Sequence, residues 1–512
     1  MLRSLRLAVT SAALLLIAAT FPRPTGGDPL MIAKIREEGL QHSQVMDIES
    51  YMTDVLGARF TMSHDMQRAE HWVTGEMASL GLQNVTAEPY GNWGVTWDNE
   101  YVSLQMLEPD YSPMVAYPLA YTPGTNGKET AQAMIVDLQT KSDLDKYRGK
   151  LKGMVVLSTP PVKIDLAPLT NGVQRWSDSA LKRIEETVIA TPRATPVRGP
   201  RNPDALSATD KLAFYKSEGV VAVLQCESGW LGAVRGYARP GAAQDHWSRE
   251  GTMASPVILA VTPEHYNRMY RILQRGIPVK VEVEVRNNVG STVEQAVNIT
   301  GEIPGSDLKD QIVMIGAHFD SWQASPNASD NASGVAVALE AARILRAVGA
   351  HPRRTIRVAL WTGEEEGLIG SRAYVLKHFG TPAAKGPEYD RLSAYFNQDY
   401  GAGQYRGIYL QGNEAARAML TSWMEPFHDF GMSVVSNLSL YQTDHVSFDD
   451  AGLPGFQFLQ DRLPAEGGHT NLDFFDTIQG DDMIKNAVVM ASFAYDAAMA
   501  DSMVPRKTPH RP

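Results

Sequence analysis

The stretch GAHFDSWQASPNASDNASG, residues 316–334, ends an apolar run on His318, follows it with Asp320, and then holds Asp330 in an Asn/Ser/Gly-rich turn. Three later places carry residues of the same chemical kind. Glu364 and Glu365 follow the run RTIRVALWTG, Asp399 follows LSAYFNQ, and His469 lies in EGGHTNLDFFD. Imidazoles and carboxylates without thiolate suit Zn²⁺, with Mn²⁺ or Co²⁺ as alternatives. Cys226 is the single cysteine, so neither a thiolate cluster nor an intramolecular disulfide can form. Taken singly, each residue has an ordinary explanation. A strand-end histidine makes a hydrogen bond, an aspartate in a polar turn caps a helix, and an acidic triplet faces water. Five such placements beside successive apolar runs are better explained by one shared metal site.

Five ligands can serve two ions if one carboxylate bridges them, and Asp330 is the natural bridge. A pair of ions about 3.5–4 Å apart activates a water and polarises a carbonyl. Neighbouring residues of an extended chain point opposite ways. Glu364 and Glu365 therefore divide the labour, one binding metal and the other handling protons. Asp320 lies near His318 in sequence and Asp473 lies near His469. A metal-bound histidine usually gives its second N–H to a carboxylate, so these two are expected to orient the rings.

The elements that must position these groups are also legible. QIVMIGAH reads as a buried strand, and RTIRVALW, LSAYFNQ and GIYLQG as further strands. NASGVAVALEAARILRAVG reads as a helix with Val335, Leu339, Ala342 and Leu345 on one stripe and Gly349 as its stop. This alternation predicts an α/β fold, a mainly parallel mixed sheet with helices on both faces. Functional groups then gather at the C-terminal edge of the strands. Residues 30–90 are largely helical in pattern, followed by strand-like pieces at 85–90 and 101–107. Residues 113–290 contain short β-rich runs such as AMIVDL, GMVVLS, PVILAV and VKVEVEV, without ligand spacing. They predict an inserted β-rich domain.

The expected layout is a signal peptide over 1–27, the N-terminal part of the site-bearing domain over 28–112, the insert over 113–290 and the rest of that domain over 291–505. Arg3 and Arg6 precede an apolar run from Leu7 to Thr20. That run is short of the roughly 20 residues of a membrane span. Cleavage is expected between Ala19 and Gly27, with an uncleaved anchor as the alternative. A secreted or periplasmic protein without a stable membrane span after processing follows. The 512 residues carry a formal net charge of −11, which argues against nucleic acid as a partner. A homodimer stays open. Asn-x-Ser/Thr sequons occur at Asn84, Asn298, Asn327, Asn331 and Asn437; the pair flanking Asp330 reads as turn residues.

The motifs GAHFDS, ASDNASG, GEEEGLIGS, NQD and GHT, in this order, resemble the M28 family of dizinc aminopeptidases and carboxypeptidases. The likeness covers roughly 296–500, and 113–290 resembles the protease-associated domain often inserted in that family. HFDSW, LWTGEE and AGLPG are most similar to its carboxypeptidase Q branch. The resemblance implies two Zn²⁺ ions, Asp330 as bridge, and His318, Glu365, Asp399 and His469 as terminal ligands. It implies Glu364 as general base and Glu366 as a bystander. It implies a peptide or dipeptide substrate and aminopeptidase or dipeptidase action. Carboxypeptidase action is the alternative, with glutaminyl cyclase or an inactive binding protein further behind. The chain departs from the pattern Tyr-His-Thr-Pro, since Gly468 precedes His469 and Asn471 follows Thr470. The segment YQTDHVSF resembles the family's Ser-Asp-His segment, and no role is assigned to Tyr441 or His445.

Overall fold

The computed structural model describes residues 28–164, 175–187, 202–463 and 468–507. The expected signal peptide, 1–27, lies outside the described residues. In chain order the strands are β1 (Gln83–Gly94), β2 (Trp97–Glu108), β3 (Ser112–Met114), β4 (Ala116–Pro118), β5 (Glu129–Ile135), β6 (Val155–Leu157), β7 (Ala222–Gln225) and β8 (Ile258–Val261). They continue as β9 (Lys280–Val289), β10 (Glu294–Ile303), β11 (Leu308–His318), β12 (Arg354–Trp361), β13 (Leu392–Asn397), β14 (Tyr405–Tyr409), β15 (Val434–Ser436) and β16 (Gly455–Gln460).

Two eight-stranded sheets result. The first runs β1-β10-β12-β11-β13-β16-β14-β15. Its centre, β12-β11-β13-β16, is parallel, and its flanks are joined by antiparallel pairs. The central strands are apolar on both sides because both faces are covered. Val313, Ile315 and Ala317 of β11 join the core under helices Ser333–Ala347 and Gly480–Met499. The alternate residues Ile312 and Met314 pack in a second cluster with Tyr374, Phe379 and Phe448, beside helices Ile369–His378 and His445–Asp450. The period of two in β11 thus feeds two layers of helix.

The second sheet runs β3-β2-β9-β5-β6-β7-β8-β4. Val281, Val283 and Val285 of β9 are buried, while Glu282 and Glu284 between them are partly exposed. This alternation is that of a sheet with one dry face. Strand β2, from a stretch expected to belong with the site-bearing domain over 28–112, pairs instead with β9 over Trp97–Glu108. Its alternating residues Leu104 and Met106 fill the same core as the β9 valines. Cys226 is buried in that core too. An aromatic cluster of Phe60, Trp93, Trp97, Tyr121, Trp247 and Trp322 joins the two lobes, with Trp93 stacked on Trp247 at 5.5 Å.

Gly316 of β11 faces Ala359 of β12, and a Cβ there would lie 1.9 Å from the Ala359 carbonyl oxygen. Gly316→Ala must push two central strands apart. It is expected to lower stability by about 3 kcal/mol, read as a fall in Tm by calorimetry.

Candidate metal centre

All six sequence-predicted site residues come together at the C-terminal edge of the first sheet. His318 is the last residue of β11, Glu364 and Glu365 follow β12, Asp399 follows β13, and His469 lies in the loop beyond β16. Asp330 opens the crossover that leads into helix Ser333–Ala347. Four neighbouring parallel strands thereby deliver five of the groups, and a crossover delivers the sixth.

Asp330 stands between the two imidazoles. Its Oδ1 is 3.3 Å from His318 Nε2, and its Oδ2 is 3.1 Å from His469 Nε2. His318 Nε2 is also 3.7 Å from Asp399 Oδ1, and His469 Nε2 is 2.8 Å from Glu365 Oε2. Ligand atoms of His318, Asp330 and Glu365 all lie within 4.8 Å of one another. His318 Nδ1 lies 3.0 Å from the Asp320 carbonyl oxygen. Donating there leaves Nε2 as a lone pair aimed at the carboxylates, the tautomer a metal ligand needs. That Nε2 is buried without a hydrogen-bond partner, and so is Glu365 Oε1.

The electrostatics are those of too much buried negative charge. Burial and the charges of Asp399 and Asp444 hold the Glu364 carboxyl well above the usual range, against the pull of His318. Burial pushes Glu365 up to about 7. Burial works to lower the pKa of His469, but Glu365 and Asp330 overcome it and drive it up to about 12. Burial opposes ionisation of Asp330, yet the two histidines beside it hold it far below the ordinary carboxylate range. A donor set of two imidazoles and several crowded carboxylates, with an orphaned imidazole nitrogen, fits divalent cations.

The carboxylates expected behind the rings do other work. Asp320 accepts the backbone N–H of Glu364 at 3.3 Å and of Glu365 at 3.2 Å, and Thr61 Oγ1 is 3.1 Å away. It fixes the paired glutamates, while its carbonyl rather than its carboxylate holds His318. Asp473 accepts the N–H of Ser329 at 2.9 Å and of Asp330 at 3.2 Å. It therefore orients the loop that carries Asp330 and not His469, whose ring packs edge-on against Tyr237 and Trp322. Glu366 turns to Thr61 Oγ1 at 3.1 Å. Asn327, Asn331 and Asn298 are buried, with side chains donating to Trp322, Gln398 and Gly370 carbonyls; none is open to a glycan.

Arg59 is a further residue on which the site's geometry depends. It is fully buried and donates to the carbonyls of Gly57, Phe319, Pro326 and Asn327 at 2.8–3.3 Å. It ties the segment after His318 to the segment before Asp330. No local signal marks it, because three of its four partners lie far along the chain.

A pocket of about 550 Å³ opens over the cluster, lined by Asp330, Glu364, Glu365, Asp399 and His469 and also by Tyr400, Tyr441, Arg372 and Arg462. Leu368, Tyr400 and His469 have φ between 60° and 73° or just below. Such left-handed non-glycine residues cluster at functional sites. His445, in the segment left without a role, is buried and kept neutral, its pKa lowered by burial to about 3.

Residues 298–494 match the model described as Peptidase family M28. This segment is similar to the M28 peptidases. Over 459 residues the chain is 23% identical to a carboxypeptidase Q of Xenopus laevis, covering 88% of this chain and 85% of that one. Among solved structures, a peptidase M28 precursor from Shewanella amazonensis superposes with a TM-score of 0.66 at 22% identity, over 94% of this chain and 98% of the other. A zinc aminopeptidase from Bacillus subtilis does so with 0.54 at 18%, over 91% and 96%. The mixed α/β fold is shared. Among the described residues no helix is long and apolar enough to cross a membrane.

Asp473→Ala leaves the Ser329 and Asp330 amides without an acceptor inside the fold. Zn²⁺ affinity is expected to fall by about 10–100-fold, read by chelator competition.

Proposed function

We propose that the chain is an exported dizinc exopeptidase that hydrolyses short peptides at a chain end. The observation that carries this reading is the Asp330 carboxylate, with one oxygen facing each of two imidazoles. Asp330 would bridge the ions, with His318 and Asp399 completing one ligand set and Glu365 and His469 the other. When bound, the ions make a water nucleophilic and polarise the scissile carbonyl. Glu364 lines the pocket beside the ligands, and its raised proton affinity suits a group that takes a proton from water and gives it to the leaving amine.

The charged residues around the site favour one kind of end recognition. A free substrate ammonium calls for a spare acid, and a free carboxylate calls for Arg or Lys. Of the spare acids, Glu366 turns to Thr61, Asp444 is fully buried, and Asp449 pairs with Lys507. Arg406 is engaged by Asp461. Arg372 and Arg462 line the pocket, and among the described residues neither pairs with an acid. Arg462 lies over the Tyr400 ring at 5.3 Å. This supports a substrate short enough for its C-terminal carboxylate to reach these guanidinium groups, a dipeptidase or carboxypeptidase mode over a general aminopeptidase.

Glu364→Gln is expected to keep both ions while kcat falls by about 10²–10⁴-fold, measured with metal analysis alongside turnover. A wild-type rate in that variant would remove Glu364 as the base. In a panel of free, N-blocked and C-amidated dipeptides, Arg462→Ala should raise KM by about tenfold for free carboxylates. C-amidated substrates should be unaffected. An equal rise for both would sink the carboxylate assignment.

A further inference from the structure

The last ligand loop is anchored by the other lobe. His318, Glu364, Glu365 and Asp399 sit at or just after strand ends, whereas His469 lies well beyond β16 and has φ 59°. Its carbonyl accepts the N–H of Gly236 at 3.0 Å. Thr470 is bridged antiparallel to Arg235. Asn471 then uses its backbone and both ends of its amide. Its N–H donates to the Val234 carbonyl at 3.1 Å, its Oδ1 accepts the Val234 N–H at 2.6 Å, and its Nδ2 donates to the Gly232 carbonyl at 3.0 Å. Residues 232–236 lie between β7 and β8 of the second sheet. On its own side the loop is held by Ser325 Oγ, which donates to the Thr470 carbonyl at 2.7 Å. A proline at 471, as in the pattern Tyr-His-Thr-Pro, could make none of the three Asn471 bonds.

We propose that Asn471 is a positioning residue that makes the second-sheet lobe part of the scaffold for His469, so that loading of the ion His469 serves depends on docking of that lobe. This rests on the dizinc reading. The physical basis is that a loop ligand in a sparsely populated backbone region needs its surroundings to define it. Here the defining contacts come across a lobe boundary. Asn471 is only 8% exposed, so alanine there strands the Val234 N–H and the Gly232 carbonyl in a buried place.

The test compares wild type, Asn471→Ala and Asn471→Asp by Zn²⁺ titration against a chelator, with Co²⁺ absorption spectra and circular dichroism on the same samples. Wild type should bind two ions. Asn471→Ala should bind the first with unchanged affinity and the second about 10–100-fold more weakly, with an altered Co²⁺ spectrum at the second equivalent only. Asn471→Asp has the same shape and keeps the acceptor for Val234 while losing the donor to Gly232. It should show a smaller loss of the same kind, and it carries the test if the alanine variant does not fold. Unchanged affinity for both ions, or an equal fall for both, overturns the proposal. A wild type that binds fewer than two ions overturns the dizinc reading, and the proposal with it.

Discussion

Several carboxylates converge at one edge of a sheet with too little positive charge to answer them. Asp330, Glu364, Glu365, Asp399 and Asp444 crowd around His318 and His469. Removing an ion from water costs several kcal/mol even after relaxation, and like charges at short range add to that. The surrounding fold is organised to bear this load. Backbone N–H groups are aimed at Asp320 and Asp473, and the Arg59 guanidinium is buried within the field of Asp320, Asp473 and Asp330. An arrangement so expensive when empty of cations is economical only when they are present.

The supporting residues share a logic. Asp320 and Asp473 each gather two successive amides and so fix the loops that carry Glu364, Glu365 and Asp330. Arg59 does the reverse with carbonyls, drawing four of them to one planar group. Loops are the natural place for reactive side chains, but they have few contacts of their own. Charged groups buried beneath them supply the rigidity that a strand would otherwise give.

The strands that carry the candidate site were legible because fully buried parallel strands write themselves as unbroken apolar runs. RTIRVALW and QIVMIGAH end abruptly at the residues that do chemistry. The gathering of His318, Asp330, Glu364, Glu365, Asp399 and His469 was legible for the same reason, since parallel strands place their ends side by side. What sequence proximity did not reveal was the partner of each buried group. Asp473 stands four residues from His469 yet serves the Asp330 loop, because the turn after Thr470 carries its side chain away from the imidazole. Strand β2 was misplaced by texture, as an alternating strand carries no mark of the sheet it will join. Arg59 and Asn471 depend on contacts that close across hundreds of residues, and local spacing is silent about those.

The lone thiol has a practical consequence. Cys226 is shut inside the second sheet's core, and burial pushes its pKa up to about 12. Thiolate is the reactive form, so at neutral pH the native chain has almost no nucleophilic sulfur to offer. A cysteine introduced on either lobe would consequently take up a maleimide dye or spin label alone. Distances between the lobes become measurable without first removing the natural residue.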